Sequence, residues 1–559
     1  MKKNNKTYLS LVVVIGVLIA LNIVSASFFK RIDLTENKRY TLSEASKEIL
    51  LNVDQPIIVD VFLKGEFPSE FKRLQNETRY LLEEYEAYNS NIKFNFINPL
   101  EENRAAQEIA TDFYNAGMTP ENLNVTENGK VTESLLFPWA VANYQDKRVK
   151  IHLLKKKIGD SNEDIVNSSV QQLEYAFTDG FNQLIHERSK KVAIMRGNGE
   201  LADLYIADFV KSIKDYYYIA PFTLDSVATN PQKTLEQLNE YDLIVEAKPT
   251  EAYTEEEKLV LDQYVMNGGK SLWLLENVMA EKDSLFTNEE NKLLAFYNDL
   301  NLTDFFFPYG ARVNPEIVND VYSAPIVLAK GSGENTQFNP YPWFYEPMAT
   351  TKNNHPIVNN IEAVKFNFAN PIDTLKNNIN KTILLQSSTA SKTEGVPTQI
   401  SLQEVIQQKP DPSSYNAGAQ NLAVLLEGNF TSVYNNRILP LPLKNYKKSS
   451  EANKMLIVSD GDVIKNPTRN GQPQALGYDA MTATTYGNKE FLVNAVNYLL
   501  DDKGLLKIRS KEVKLAFLNT NKVAAERVQW QIINIVLPLL FLGVFGVIFT
   551  WFRKRKYIK

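Results

Sequence analysis

The chain has 559 residues, a formal net charge of −5, no cysteine and only three histidines, His152, His186 and His355. The absence of cysteine excludes disulfides, thiolate metal sites and cysteine nucleophiles, and histidines so far apart in sequence argue against a histidine-based metal cluster. No basic block occurs outside the two ends of the chain, so we predict no nucleic-acid partner, and no motif predicts a cofactor.

The first predicted element is a transmembrane anchor within residues 1–29. Lys2, Lys3 and Lys6 precede an uncharged run of twenty-three residues, Thr7–Phe29, and a helix needs about 20 apolar residues to cross a bilayer. A cleaved signal peptide is the alternative, because Ser25-Ala26-Ser27 offers small residues at cleavage-site spacing. The length of the run favours a retained anchor.

Residues 30–160 are predicted to form a thioredoxin-like α/β domain. The predicted elements are a helix from Leu42, a strand at 56–63, a helix at 67–89, a strand at 92–97, a helix at 102–116 and a hairpin at 140–153. Strand, helix, strand, helix and hairpin is the order of a thioredoxin-like layer. Without a Cys-x-x-Cys motif such a domain is redox-silent, so we interpret it as an interaction module.

Residues 161–300 are predicted to form the first part of a doubly wound, flavodoxin-like domain. Buried strands are predicted at 191–195, 241–247 and 270–275, and a helix at 254–267 ends at the C-cap pair Gly268-Gly269. Repeated strand–helix–strand order indicates an open parallel sheet. We interpret residues 301–450 as an insertion and residues 451–502 as the completion of the sheet.

A glycine turn and an aromatic loop are candidates for a ligand or partner surface. The turn, Arg196, Gly197, Asn198, Gly199 and Glu200, follows a strand, where backbone amides can cradle phosphate. It lacks a Walker lysine and a full dinucleotide fingerprint, which favours a simple tight turn. Trp343 lies in a Gly-, Asn- and Pro-rich segment whose aromatic residues either form a partner surface or pack back onto the sheet.

Asp460 and Asp462 are further candidates, because they follow the strand that returns to the sheet. Ligands of open α/β sheets usually bind at the carboxyl ends of the strands, although acidic residues there also form turns. A hydrolase that uses one of these residues with His355, or a small-ligand-binding protein that uses the same edge, is therefore the alternative function. No spacing of a nucleophile and a base supports the hydrolase.

The last predicted element is a transmembrane helix at 530–552, after a charged stalk at 503–529. The uncharged run Val528–Phe552 carries Trp530 and Trp551 near its ends, and the basic tail 553–559 follows it. Short basic tails stay in the cytoplasm. We therefore predict a bacterial inner-membrane protein with both termini cytoplasmic and the large domain periplasmic.

Five residues in the two predicted spans are candidates for helix packing in the membrane. Glycines and alanines at small-xxx-small spacing let helices approach closely, and an amide in hydrocarbon needs a partner. Lipid-facing filler is the alternative interpretation. The candidates are Gly16, Ala20, Asn22, Asn534 and Gly543.

The chain resembles the membrane-anchored auxiliary component of gliding-motility-type ABC transport systems over nearly its whole length. The motifs that carry the resemblance are Asp33-Leu34-Thr35, Arg39-Tyr40-Thr41-Leu42-Ser43, Gly197-Asn198-Gly199-Glu200, Gly268-Gly269, Ser459-Asp460-Gly461-Asp462, Gly487-Asn488 and Ile533–Pro538.

The resemblance implies an ABC permease and a cytoplasmic ATPase as partners, a role in surface gliding, and a central sheet similar to the class I glutamine-amidotransferase fold. The nucleophile of that fold is a cysteine. This chain has none, so the resemblance implies no catalytic activity and the chain is predicted not to be an enzyme. The sequence leaves open whether the protein forms a homo-oligomer within the complex.

Overall fold

The computed structural model describes residues 13–19, 41–65, 67–101, 104–127, 130–287, 289–331, 336–407, 411–501, 504–510 and 520–557. The chain falls into two compact units, Met1–Glu512 and Val513–Lys559. The predicted domain boundaries within the first unit stay predictions. The motifs at 33–35 and 39–40, and the packing candidates Ala20 and Asn22, lie outside the described residues.

A four-stranded sheet forms the first part of the larger unit. Its order is β2-β1-β5-β6, with β1 parallel to β2 and antiparallel to β5. The hairpin β3-β4 forms a separate two-stranded sheet, and its mostly polar sequence explains why periodicity did not predict it. The strands are β1 (Ile57–Val61), β2 (Ile92–Phe96), β3 (Glu121–Glu127), β4 (Lys130–Leu136), β5 (Trp139–Tyr144) and β6 (Lys147–His152).

Four helices accompany this sheet: α1 (Glu44–Leu51), α2 (Ser69–Tyr88), α3 (Ala106–Asn115) and α4 (Asn162–Ile185). The predicted helix start at Leu42 is wrong, because Ser43 is the N-cap and its side chain accepts the Ser46 N–H. The other elements follow the predicted order. The assignment to the thioredoxin-like type stays a prediction.

The central sheet of the larger unit has seven strands in the order β11-β12-β13-β10-β9-β7-β8. The five strands from β13 to β8 are mutually parallel, and β12 and β11 are antiparallel to their neighbours. The strands are β7 (Lys191–Arg196), β8 (Tyr218–Thr223), β9 (Leu243–Ala247), β10 (Lys270–Leu274), β11 (Asn380–Gln386), β12 (Asn421–Thr431) and β13 (Ser449–Val458).

Both faces of this sheet are covered by apolar cores. Phe209 of one helix and Phe491 of another pack with Val245 on one face, and Tyr264 packs with Trp273 on the other. Burial on both faces explains why β9 is apolar almost throughout. The helices are α5 (Asp203–Ile213), α6 (Pro231–Leu238), α7 (Glu255–Met266), α8 (Ser284–Thr287), α9 (Thr303–Tyr309), α10 (Leu402–Gln407) and α11 (Asn488–Leu500).

The predicted insertion at 301–450 supplies two strands of the central sheet, β11 and β12. Its remaining strands are short, and some of them contribute to a separate core that contains Trp343, Ile317 and Ile326. Outside the two sheets described above, the paired strands are Val278–Met279 and Thr398–Ser401 on either side of Lys292–Tyr297, then Ala311–Val313 with Ile372–Thr374, Glu316–Asp320 with Ser391–Gly395, Ile326–Lys330 with Gln337–Tyr341, Met348–Ala349 with Val364–Lys365, Thr468–Arg469 with Gln472–Pro473 and Tyr478–Asp479 with Thr484–Thr485.

The second unit contains one long helix, α12 (Thr520–Tyr557). Its segment Ala525–Lys556 is the one stretch in the described part of the chain that is long and apolar enough to cross a membrane. The predicted N-terminal anchor is described only at residues 13–19, which are helical and exposed. That anchor therefore stays a prediction, as does the stalk, of which residues 503 and 511–519 lie outside the description.

Candidate functional site

Charged side chains gather where three adjacent parallel strands of the central sheet end. Lys248 follows β9, Glu276 comes shortly after β10, and Asp460 and Asp462 follow β13. Because β9 pairs with β10 and β10 pairs with β13, the chain positions after these strands meet at one edge. We call these four residues the edge cluster.

Lys248 is the centre of the edge cluster. Its Nζ lies 2.7 Å from Asp462 Oδ1, 2.8 Å from Glu281 Oε1 and 3.1 Å from Glu276 Oε1. The contact with Asp462 is a hydrogen bond. The approach to Glu276 is an ion pair without hydrogen-bond geometry, since Glu276 Oε1 has no hydrogen-bond partner. The Lys248 side chain is only 4% exposed, so its charge is neutralised by the protein and not by water.

The insertion contacts the edge cluster through hydrogen bonds from Asn367. Its backbone N–H donates to Asp460 Oδ2 at 2.5 Å, and its Nδ2 donates to Asp462 Oδ2 at 2.8 Å. The Asp462 N–H donates to Asp460 Oδ1 at 2.7 Å. Gly461, between the two aspartates, lies so close to Lys248 that an added Cβ would fall 2.4 Å from the lysine Cβ.

Burial divides the carboxyl groups of the cluster into two kinds. Burial, and then the charge of Asp462, raises the pKa of Asp460 to about 8 and the pKa of Glu276 well above its usual range. Burial would also raise the pKa of Asp462, but Lys248 and Lys465 hold that pKa below its usual value. Lys248 and Asp462 therefore form an ion pair, and Asp460 and Glu276 tend to hold protons.

Glu276, Asp460 and Asp462 place carboxylate oxygens within 4.8 Å of one another, a spacing that could hold a metal ion. The ammonium group of Lys248 already lies against two of the three, at the position that a cation would need. The cluster is therefore a charge-compensated contact between the sheet and the insertion.

In the predicted glycine turn, a backbone carbonyl group is hydrogen-bonded to the loop that follows β9. Both Thr250 N–H and Glu251 N–H donate to the carbonyl oxygen of Asn198 at 2.9 Å. An added Cβ on Gly199, which has φ +74°, would fall 2.1 Å from Thr250 Oγ1. This packing fills the space in front of the turn.

Other groups of the turn also have partners, but Glu200 Oε1 is buried without one among the described residues. The Arg196 guanidinium lies 2.6 Å from Asp203 Oδ1, and Glu200 Oε2 accepts the Asn198 N–H at 3.0 Å. Gly197 has φ +119°, a conformation that glycine adopts most readily. The geometry is that of a tight strand-to-helix turn.

Trp343 lies in the core of the insertion and is fully buried. Its ring centroid is 5.2 Å from that of Tyr345 and 6.4 Å from that of Phe368. The indole therefore offers no surface to a partner, and it packs in the separate core of the insertion and not onto the central sheet.

His355 lies apart from the two aspartates. The His355 ring centroid lies 4.6 Å from that of Tyr498. The Nζ of Lys454 lies over the same tyrosine ring, so His355 is near Lys454. Lys454 precedes Asp460 by six residues along and beyond β13. Six residues of extended strand span about 20 Å. The structure thus joins Asp460 with Asp462 but does not join either with His355.

Among the membrane-packing candidates, Gly16 lies in the helical residues 13–19, and Asn534 and Gly543 lie on α12. All three are exposed. Sequence reasoning missed Lys248 and Glu276. The available signal was that each comes after a buried strand, as Asp460 does.

The molecule thus has a large α/β body, with a compensated ion cluster at its central sheet, and a separate helix long enough for a membrane. The helix indicates an association with a membrane. The family model described as "ABC-type uncharacterized transport system" matches residues 189–495, more than half of the chain. The chain belongs to this family of auxiliary proteins of ABC transport systems, and the predicted relation to ABC transport is confirmed at that level.

The other comparisons give no further information about function. Residues 36–143 match a domain of unknown function. An uncharacterized protein of Borreliella burgdorferi is 22% identical over 562 residues, which cover 99% of each chain. A solved structure of the mmIFT52 N-terminal domain is 14% identical and covers 56% of this chain and 99% of its own, with a TM-score of 0.30. That similarity is too low to support a statement about the fold.

Proposed function

We propose that the protein is a membrane-anchored periplasmic subunit of an ABC transport complex and acts by contacts with the permease and the cytoplasmic ATPase. The observation that carries this proposal is the combination, in one chain, of a transport-system family body and a long apolar helix. The helix ends in Arg553, Lys554, Arg555 and Lys556, and such a tail favours a cytoplasmic C-terminus.

Protease accessibility in spheroplasts tests the orientation. With tags on both termini, external protease should digest the body and leave both tags intact. Digestion of the C-terminal tag would contradict the proposed orientation. A mature chain that begins at Phe28 would show that the N-terminal segment is a cleaved signal peptide.

Copurification from native membranes tests the partnership. The chain, tagged at its C-terminus and extracted in mild detergent, should retain a permease and an ATPase of the ABC class in fixed ratio. A chain that purifies without either subunit, at normal abundance, would contradict the proposal. The same experiment would report whether a second copy of the chain is present.

We further propose that the membrane helices make part of this contact. Asn534 is an amide within the apolar run of α12, and an amide in hydrocarbon gains roughly 0.6–2 kcal/mol from a partner helix. Asn534→Leu with Gly543→Leu should weaken copurification of the permease. The matched control is Val547→Leu with Ile548→Leu, which changes two exposed apolar residues of the same helix. Equal retention by both double variants would place the contact elsewhere.

The finer proposal is that the complex serves surface gliding and that the protein corresponds to GldG, the gliding protein of Bacteroidetes. The motifs at 197–200, 268–269 and 459–462 support it by resemblance. Deletion of the gene should abolish gliding without affecting growth, and a plasmid copy should restore it. Normal gliding in the deletion strain would limit the function to transport of another kind.

We also propose that the protein is not an enzyme. The carboxylates that could serve a hydrolase are paired with Lys248 or bonded to backbone N–H groups, and His355 lies apart from them. The purified chain, free of its partners, should neither turn over ATP nor hydrolyse ester and amide substrates. Turnover that Asp460→Ala abolishes would restore the alternative.

A further inference from the structure

A second charged region lies at the opposite edge of the central sheet, where β7 and β8 begin. A cavity of about 240 Å³ is present there. Its walls come from the end of α4, the loop that leads into β7, the residues just before β8, the end of α11 and the segment that follows α11. Neither the proposed function nor the sequence patterns described above account for this cavity.

Asp179 of α4 lines the cavity and is only 9% exposed. Tyr216 Oη donates to its Oδ2 at 2.8 Å, and Gln183 Nε2 donates to the same oxygen at 3.0 Å. No donor in the described part of the chain bonds Oδ1. Asp179 Oδ1 can therefore accept a hydrogen bond from water or from a ligand in the cavity.

Two helices direct their negative ends at the same space. The helix α4 ends at Ile185 and α11 ends at Leu500, and residues of both last turns and both C-caps line the cavity. The C-terminus of a helix carries about half a negative charge. Both helix ends therefore favour a cation in the cavity.

The other charged side chains strengthen this preference. Glu187 and Asp501 also line the cavity, and Lys190, the one lysine among the described lining residues, is 3.3 Å from Asp242. Arg509 acts on Asp179 from nearby, but its guanidinium bonds Glu490 Oε1 at 2.9 Å. Three carboxylates and one lysine thus line the cavity among the described residues.

The chemistry of the walls favours an organic cation over a metal ion. Calcium takes six to eight oxygen ligands, and among the described residues only the edge cluster gathers three carboxylates at metal-binding distance. The cavity instead offers the aromatic rings of Tyr216 and Tyr217, while the ring of Tyr175 already has the Arg509 guanidinium 5.1 Å from its centroid. Carboxylate with aromatic faces is the combination that recognises organic ammonium groups.

We propose that this cavity binds a small organic ammonium ion, whose charged group donates to Asp179 Oδ1. Since one water occupies about 30 Å³, the volume suits a ligand of about eight non-hydrogen atoms. The ligand would contact α11 and the segment Leu505–Ser510, which precedes the C-terminal unit in the chain. This inference does not depend on the proposed transport role.

Calorimetric titration of the full-length chain in detergent tests the proposal, with n-butylammonium as the probe and butan-1-ol as its neutral isostere. We expect saturable binding of butylammonium at millimolar concentrations and at least tenfold weaker binding of butan-1-ol. Asp179→Asn should weaken butylammonium binding at least tenfold. The control Asp203→Asn removes an exposed carboxylate elsewhere and should leave binding unchanged.

A second variant keeps the test decisive if Asp179→Asn does not fold. Ser189 lies on the exposed loop of the cavity wall, so Ser189→Trp should fill the space without changing its charge and should also abolish binding. Three results would overturn the proposal: no saturable binding of butylammonium, equal binding of butan-1-ol, or full affinity in both cavity variants.

Discussion

The two edges of the central sheet differ in whether their buried carboxylates have a lysine from the chain as a partner. At the carboxyl-terminal edge, Lys248 Nζ lies within 3.1 Å of three carboxylate groups, and the insertion closes over them. At the amino-terminal edge, Asp179 keeps one oxygen without a donor among the described residues, beside a cavity of about 240 Å³. Open α/β sheets usually bind ligands at the first kind of edge. Here a lysine from the chain occupies that position.

Sheet topology thus brings charged groups together, but the local partners of these groups determine whether they form a structural contact or a candidate binding site. The edge cluster contains its own cation, because Lys248 follows β9, the strand beside β10, and adopts φ +57° there. At the cavity, Lys190 is paired with Asp242 and Arg509 bonds Glu490, so no cation of the described residues forms an ion pair with Asp179. The presence of an internal counter-charge therefore separates a structural contact from a candidate binding site.

Removal of the internal cation should produce the largest effect. Lys248→Met leaves the ionised Asp462 buried without its counter-charge, and loss of one partner of a buried pair costs about 3–5 kcal/mol. We expect a clearly lower midpoint of urea unfolding, measured by tryptophan fluorescence. The control Lys191→Met breaks an exposed pair with Glu240 and should cost less than about 1 kcal/mol.

An unchanged unfolding midpoint for Lys248→Met would contradict the assignment of this lysine as the internal cation. Added Ca²⁺ or Mg²⁺ provides a second measurement on the same variant. If the three remaining carboxylates accept a metal ion in place of the ammonium group, the midpoint should rise in a cation-dependent manner in the variant but not in the native chain.

The next largest effect should come from Gly461→Ala. The added Cβ would meet the Cβ and Cγ of Lys248, which lie near the lysine backbone and cannot swing away. Overpacking of this kind costs about 1–3 kcal/mol. The matched control is Gly395→Ala, where an added Cβ meets nothing within 4 Å, so its unfolding midpoint should not fall. If Gly461→Ala unfolds at the same urea concentration as the native chain, Gly461 and Lys248 are not closely packed.

Much of the central fold follows from local pattern. The strands β9 and β10 are apolar runs because both of their faces are buried, and the capping residue Thr254 marks the start of α7. The edge strand β8 gives no such signal, since it contains Pro221 and is half exposed. The pairing of β11 and β12 beside β13 depends on contacts between distant parts of the chain, which periodicity does not report.

The edge cluster was only half predictable for the same reason. Asp460 and Asp462 are predicted as candidates because they directly follow a strand in the sequence. Lys248 and Glu276 also follow strands, but only the strand order β9-β10-β13 brings all four together. Asp179 gives still less signal, because it is a single acidic residue within a long helix whose end meets another helix end only in the folded protein.

The affinity of the cavity for butylammonium should depend on pH. Burial raises the pKa of Asp179 to about 6, while Tyr216, Gln183 and Arg509 act in the opposite direction. Only the ionised carboxylate binds the cation, so affinity should fall by about tenfold, or 1.4 kcal/mol, between pH 7 and pH 5. Other titratable groups that line the cavity are His186, Glu187, Lys190 and Asp501, with Tyr175 and Tyr217. Calorimetry at both pH values measures the change, and equal affinities would show that Asp179 is not the binding group.

The smallest effect should come from the rim of the edge cluster, where Lys465 approaches the same carboxylates from outside. Its Nζ lies 3.6 Å from Asp462 Oδ1 and 3.7 Å from Glu281 Oε2, and both distances exceed those of a hydrogen bond. The lysine side chain is 28% exposed and that of Glu281 is 44% exposed, so water screens the pair. Such a pair contributes about 0–1 kcal/mol. Lys465→Gln should therefore shift the urea midpoint far less than Lys248→Met. If the two variants lose equal stability, the cluster acts as one extended network that reaches the surface, and the separation between a closed edge and an open cavity would no longer hold.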